Sequence, residues 1–219
     1  MKKLHIAIVL GLIIGITLTL SLIVFGDNSS FYSDWGKFFS QAENDSAKEI
    51  VATYKENFVP RADVDFHKNI DTISDDSKKK NESDIEIVNR ILIGFILLEE
   101  AERLGLSATQ EEIDEMGPAQ KEAYGKDPDT KKLLDEFCEG AGITIEEYFK
   151  IVEEQLSPTI SRQKLKNHFK ETCCKEHDID NDTMTLKERE LIEAAYQTYR
   201  DELLSANEEH ITYYMDRLR

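Results

Sequence analysis

The apolar positions of the chain follow a helical spacing almost throughout. The clearest stretch begins at Asp84, where apolar residues recur every three or four positions. They are Ile85, Val88, Ile91, Leu92, Phe95, Leu98 and Ala101. The segment 91–98 carries no polar side chain, and eight residues are too few to span a bilayer. We therefore predict a core helix that buries Leu92 and Phe95, with Gly105 as its left-handed C-terminal cap.

Three further helix starts are marked by capping boxes, in which a threonine is followed three residues later by a glutamate. The pairs are Thr109 with Glu112, Thr144 with Glu147, and Thr185 with Glu188. The helix after Thr144 contains Pro158, which predicts a kink or break near Ser157. Between the first two boxes we expect irregular turns over 116–130 and a short helix over 131–142.

Strand signals are nearly absent. No segment alternates apolar and polar residues for long, and no Asn-Gly or Asp-Gly hairpin turn occurs. Residues 31–58 carry apolar positions at helical spacing and end at Pro60, whereas the polar run 72–84 has the composition of a loop. The predicted fold class is therefore all-α.

The last predicted helix covers 185–219 and carries a heptad seam. The seam consists of Ile192, Tyr196, Tyr199, Leu203, Ala206, His210 and Tyr213. Because most of these residues are small or aromatic rather than Ile and Leu, they favour packing within the chain over a dimeric coiled coil. An acidic linker over 171–184 connects this helix to the preceding domain.

Residues 6–25 are twenty consecutive uncharged and mostly apolar residues that follow Lys2 and Lys3. As a helix, this run is long enough to cross a bilayer core of about 30 Å. A secretory signal has a shorter apolar region and a small-residue cleavage site, so an uncleaved signal anchor is favoured over a removed signal peptide. The positive-inside rule then places residues 1–5 in the cytoplasm and everything after Phe25 outside.

The net charge limits the kinds of molecule that the chain is expected to bind. The formal charge is −17, and taking away the two lysines before the apolar run leaves −19 on the external part. Such a field repels phosphate backbones, so we predict no nucleic-acid binding. It attracts basic or unfolded partners, although an acidic surface also serves simply to keep a protein soluble.

The cysteines and histidines do not form a metal-site pattern. A structural zinc site needs four ligands, commonly in closely spaced pairs. Cys173 and Cys174 lie close to His177, but the remaining cysteine, Cys138, is distant in sequence. A disulfide from Cys138 to Cys173 or Cys174 is one alternative in an external compartment, and free thiols are the default.

The other motifs do not support catalysis. The acidic segment 178–182 resembles the start of a calcium loop, but Thr183 and Arg189 stand where glycine and a bidentate glutamate are required. The sequence contains no GxSxG, HExxH or glycine-rich phosphate loop. We therefore predict no catalytic residues, no metal ligands and no cofactor.

Three short motifs follow one another in the middle of the chain. They are "EA-x-x-x-G" at 100–105, "T-x-E-E-(V/I)-D" at 109–114 and "G-(L/I)-T-x-E-E-(L/Y/F)" at 142–148. This series resembles the N-terminal domain of SurA/PrsA-type extracytoplasmic chaperones. The resemblance covers residues 31–170 and is clearest over 86–169. The segment 31–39 takes the place of the family's leading helix, but the "V-N-G" strand that normally precedes that helix is not evident.

The resemblance implies a helical module that grips unfolded exported chains. The resemblance does not extend to the parvulin isomerase domain of PrsA-type proteins, since the pattern after Phe169 predicts only an acidic linker and one helix. We therefore expect a membrane-anchored, extracytoplasmic chaperone-like module that binds unfolded or exported polypeptides and is not an enzyme. The alternative is a structural or regulatory adaptor of an envelope protein complex that uses the same fold.

Overall fold

The computed structural model of the chain describes residues 29–45, 49–73 and 82–218. The predicted anchor at 6–25 and most of the predicted polar loop at 72–84 lie outside these residues. Of the helices in the described ranges, none combines the length and the apolar character needed to cross a membrane.

The described residues are mostly helical, as predicted, with seven α-helices and one small sheet. The helices are α1 (Ser29–Asp45), α2 (Arg61–Ile73), α3 (Asp84–Arg103), α4 (Gln110–Lys126), α5 (Pro128–Ala141), α6 (Ile145–Glu176) and α7 (Leu186–Ala206). The strands are β1 (Ile50–Tyr54), β2 (Asn57–Pro60) and β3 (Ile211–Tyr213), in the antiparallel order β2-β1-β3. Short 3₁₀ turns occupy Glu208–His210 and Met215–Arg217.

The sheet is the main departure from the predicted pattern. A two-residue turn connects β1 to β2, and Lys55 supplies the positive φ of 50° that glycine or asparagine usually supplies in such turns. Val51, Ala52 and Tyr54 are all fully buried, so both faces of β1 are covered. Because a strand covered on both faces does not alternate, its apolar residues matched a helical spacing, and the helical prediction for 31–58 is wrong over Ile50–Tyr54 and at the start of β2.

The predicted C-terminal helix over 185–219 is also too long. The helix α7 ends before Asn207, whose side chain accepts a hydrogen bond from the hydroxyl of Tyr54 at 3.0 Å and donates to the carbonyl oxygen of Leu203 at 2.9 Å. The chain then turns so that β3 pairs with β1, which places Tyr213 in the sheet. The pairing of β3 with β1, which are far apart in sequence, therefore outweighs the helical pattern at the end of the heptad seam.

The first part of the seam does pack within the chain. Ile192 and Tyr196 are buried, and Leu203 packs against the apolar cluster around α3. The hydroxyl of Tyr199 donates a hydrogen bond to Glu100 Oε1 on α3 at 2.8 Å. These contacts dock α7 onto α3 and α6.

Of the kink or break predicted near Ser157, the break is wrong, because α6 runs through Pro158 as one continuous helix. The hydroxyl of Ser161 donates to the carbonyl oxygen of Ser157 at 2.8 Å and accepts from the amide of Ala108 at 2.9 Å. Buried neighbours on either side of the proline hold the helical path. Because α6 continues to residue 176, the connection to α7 is only 177–185, shorter than the predicted linker 171–184.

The region 116–130 is helical, not irregular as predicted. It contains the second half of α4 and the start of α5, separated only by Asp127. The Asp127 carboxylate accepts hydrogen bonds from the backbone amides of Asp129 and Thr130, and Pro128 occupies the first turn of α5, where it needs no amide donor. One capping residue therefore starts a new helix in a segment rich in turn-forming residues.

The remaining local predictions are confirmed. All three capping boxes carry both of their hydrogen bonds, and Ser83 with Glu86 forms a fourth at the start of α3. Gly105 follows α3 with a φ of 68°. Leu92 and Phe95 are buried in the cluster that joins α3 to the sheet.

The three cysteines are buried free thiols. Cys138 belongs to the apolar cluster of α1, α5 and α6, whereas Cys173 and Cys174 belong to a separate small cluster at the end of α6. The disulfide alternative is therefore not found, and the default of free thiols holds. Burial raises the pKa of the Cys138 thiol to about 11, which makes it a poor nucleophile.

The helices α1 and α5 approach each other at two glycines. A Cβ atom on Gly140 would lie 2.0 Å from the carbonyl oxygen of Ser33, and one on Gly36 would lie 2.2 Å from that of Phe137. Glycine at both positions lets the backbones touch. This brings the ring of Trp35 to 6.1 Å from that of Phe137, in an edge-on contact.

Candidate functional site

The candidate site is a solvent-facing groove of about 380 Å³ between α6 and α7, called here the α6–α7 groove. The short connection 177–185 contributes to it, because Asn181 and Met184 belong to its lining. A volume of this size falls within the range of ordinary ligand pockets. The groove is therefore large enough to accept side chains of another polypeptide.

The floor of the groove is apolar and partly aromatic. It consists of Phe169, Met184, Ile192 and Tyr196. The rings of Phe169 and Tyr196 lie 5.3 Å apart, and Phe169 is stacked on Tyr199 at 5.1 Å. Because these rings support one another, the floor presents a fixed apolar surface.

The rim of the groove is basic, opposite in sign to the chain as a whole. Lys166, Lys170 and Arg189 line it, with Glu193 as the one acidic side chain of the lining. Lys166 lies 3.0 Å from Glu193, and its ammonium group is 5.3 Å from the centre of the Tyr196 ring. The rim therefore has an excess of positive charge in a chain of net charge −17.

A buried cation lies close to the groove. Arg162, one helical turn before Lys166, is only 7 % exposed, and its Nε and Nη2 atoms have no hydrogen-bond partner in the described part of the chain. Room for its guanidinium comes from Gly94 on α3, where a Cβ atom would lie 3.4 Å from Nη1. Burial lowers the pKa of Arg162 to about 10, with an opposing effect from Tyr196, so the group is charged at neutral pH.

A second charged cluster lies between α2 and α3, and its members mostly neutralise one another. The carboxylate of Asp84 is 1 % exposed and forms ion pairs with Arg61 and Lys68. Arg90 pairs with Asp71 at 2.5 Å and with Glu82 at 2.9 Å. We assign this cluster to holding the two helices together, because removing one partner would leave a buried charge uncompensated.

Asp63, which also lies on α2, differs from the members of that cluster because no described cation neutralises it. Its carboxyl group is 3 % exposed, and its Oδ1 atom has no hydrogen-bond partner among the described residues. Burial raises the pKa of Asp63 from its ordinary value of 3.8 to about 7. The group therefore titrates near neutral pH.

Asp63→Asn is expected to change how stability depends on pH. A raised carboxyl pKa contributes stability that is complete below about pH 4 and is lost as the pH rises to 7. Over that window the wild type should lose up to about 4 kcal/mol relative to the variant. Urea unfolding between pH 4 and pH 8 measures this difference, with the exposed Asp65→Asn as the control. A constant difference between wild type and Asp63→Asn would contradict the burial of an unpaired carboxyl.

The motifs considered for metal binding contribute hydrogen bonds to the fold. Asp180 accepts a hydrogen bond from the amide of Asp182 at 2.9 Å and so shapes the connection between α6 and α7. His177 caps the end of α6 by donating its amide to the carbonyl oxygen of Cys173. Within 29–45, 49–73 and 82–218, no three His, Cys, Asp or Glu side chains are grouped so as to hold a metal ion.

The groove was missed by the sequence reasoning. A signal for it was present at 162–170, where four Lys or Arg residues and one His occur within nine positions of a strongly acidic chain. The pairing of this segment with α7 is a tertiary contact and has no sequence motif. The site could be located only once α7 was seen to pack against α6.

Comparisons with known proteins do not identify the chain. It matches no protein-family model, no curated protein and no solved structure. The resemblance to SurA/PrsA-type domains therefore rests on the three motifs quoted above.

Proposed function

We propose that this chain is a binding module of the SurA/PrsA N-terminal type that holds unfolded or exported polypeptide without catalysis. The observation that carries the proposal is the α6–α7 groove, with its fixed apolar floor and its polar, solvent-facing rim. Such a surface fits extended chains that expose aromatic and aliphatic side chains, since burying them in the groove is favourable.

The order of elements gives further support. The resemblance implies a short strand directly before the leading helix, and β1 and β2 lie directly before α2. Under this proposal α2, not the segment 31–39 of α1, corresponds to the leading helix. The motif at 100–105 then closes α3, and the motifs at 109–114 and 142–148 open α4 and α6.

A matched pair of neighbouring variants tests the function. Asn167 lines the groove, whereas His168, the next residue on α6, is exposed outside the lining. Asn167→Trp should fill the groove and weaken binding of a fluorescent, permanently unfolded polypeptide by about tenfold, the effect of losing about 1.4 kcal/mol. His168→Trp should leave the affinity unchanged. Fluorescence anisotropy with the full chain in neutral detergent micelles measures both.

The binding should survive high salt. Raising the salt from 0.1 M to 1 M shortens the Debye length from about 10 Å to about 3 Å, but apolar burial persists. The full chain should also leave the rate of prolyl cis/trans isomerisation of a test peptide unchanged. If no unfolded polypeptide binds at any salt concentration, the adaptor of an envelope complex replaces the chaperone-like module as the proposed function.

The proposed location follows from the apolar run before the described domain. We propose that residues 6–25 anchor the protein in the cell membrane with the helical domain outside. Protease added to spheroplasts should digest the domain, while untreated protein stays in the membrane fraction at its full length. A shortened soluble form that starts near Asp27 would instead identify residues 6–25 as a cleaved signal peptide.

A further inference from the structure

We infer that the α6–α7 groove selects acidic polypeptide segments, in which carboxylates flank an aromatic or aliphatic side chain. The inference rests on the proposed function and adds the chemistry of the ligand. It is opposite to the preference for basic partners that the net charge of −17 favours. The selection depends on which charges a bound segment meets at close range.

The groove offers cations that are free to pair with a ligand. Lys166 already has a partner in Glu193, but Lys170 and Arg189 have no ion-pair partner within the described ranges. A guanidinium on the rim can bind a carboxylate through two parallel hydrogen bonds, which gives direction as well as attraction. Apolar residues between the carboxylates would rest on the floor formed by Phe169 and Tyr196.

The buried Arg162 adds to the positive electrostatic potential of the groove. Its charge is held away from water, so solvent and salt screen it less than they screen the lysines of the rim. Its Nε and Nη2 atoms have no hydrogen-bond partner in the described part of the chain, and the effect of Tyr196 on the pKa of Arg162 places the guanidinium near the floor of the groove. A negative ligand over Tyr196 therefore gains from a cation that has no ion pair among the described residues.

The distance over which charges act in salt solution decides whether the charges around the groove or the net charge of the chain determine which segment is bound. At about 0.15 M salt the Debye length is about 8 Å, so exposed acidic residues on remote helices are largely screened from a segment in the groove. The charges within that range include the basic rim and Glu193, and also Asp180 and Asp182, which flank Asn181 in the chain. The overall negative charge therefore affects the approach of a ligand more than its choice once bound.

Two peptides of opposite charge test the inference. Both have the same length and the same aromatic and aliphatic residues. At the positions between these residues, one peptide carries Glu and the other carries Lys. With the full chain in neutral micelles at 0.1 M salt, the acidic peptide should bind about tenfold more tightly, and the preference should shrink towards 1 M salt. Equal binding, or tighter binding of the basic peptide, would overturn the inference and leave the proposed function intact. If neither peptide binds, the inference fails, and the binding of the permanently unfolded polypeptide then decides the proposed function.

Charge-reversal variants at two positions of α6 test whether the preference for acidic peptides arises in the groove. Lys170 lines the groove, whereas Lys175, further along α6, is exposed outside the lining. Lys170→Glu should weaken binding of the acidic peptide by about tenfold, because it replaces an attraction with a repulsion, and Lys175→Glu should change it by less than about twofold. Equal losses from the two variants would show a general effect of charge and would overturn the inference. Unchanged thermal melts of both variants confirm that folding is not the cause.

Discussion

Phe95→Ala is expected to lower the free energy of unfolding by about 3–5 kcal/mol. Phe95 lies in the middle of α3, is 3 % exposed, and belongs to the cluster that joins α3 to the sheet, where Leu92 and Val88 are fully buried. Truncation removes the transfer free energy of the ring and leaves a cavity that packed neighbours cannot fill. Since domains of this size are stable by only about 5–15 kcal/mol, urea unfolding should show a large loss.

The same substitution at an exposed phenylalanine is the control. Phe58 on β2 is 46 % exposed, so Phe58→Ala should cost about 1 kcal/mol or less. If the two variants lose similar amounts, or if the melt of Phe95→Ala matches the wild type, α3 is not the centre of this core.

Gly140→Ala is expected to lower the free energy of unfolding by about 2 kcal/mol, although alanine favours helices. The added methyl group would lie 2.0 Å from the carbonyl oxygen of Ser33, so the backbones of α1 and α5 must move apart. That movement loosens the contacts of Trp35 with Phe137. A decrease in Tm and a change in the fluorescence of Trp35, the one tryptophan of the chain, would report both effects.

A second helical glycine separates this clash from helix propensity. Gly125 near the end of α4 has nothing within 4 Å of an added Cβ atom, so Gly125→Ala should raise stability by about 0.5 kcal/mol. Opposite signs for the two variants are the expected result. Stabilisation by Gly140→Ala would mean that α1 and α5 do not meet as closely as described.

The candidate site was less predictable than the helices around it. The basic segment 162–170 was visible in the sequence, but neither Tyr196 nor Arg189 carries a local sign that it faces that segment. The burial of Arg162 depends on the room that Gly94 of another helix leaves, and its Nε and Nη2 atoms have no hydrogen-bond partner among the described residues. Such relations connect residues far apart in the chain, and a helical period records only which face of one helix is apolar.

What the sequence by itself determined is local. The capping boxes, the cap at Gly105 and the apolar face of α3 each arise from hydrogen bonds or spacing within a few residues, and all are present as predicted. The tertiary structure alone decided that Ile50–Tyr54 is a strand, that α7 stops at Ala206, and that α6 continues through Pro158. In each case pairing or packing against a distant segment outweighs a local preference of about 1 kcal/mol per residue, or about 3 kcal/mol for proline. The groove, which two separate helices form together, belongs to this second group.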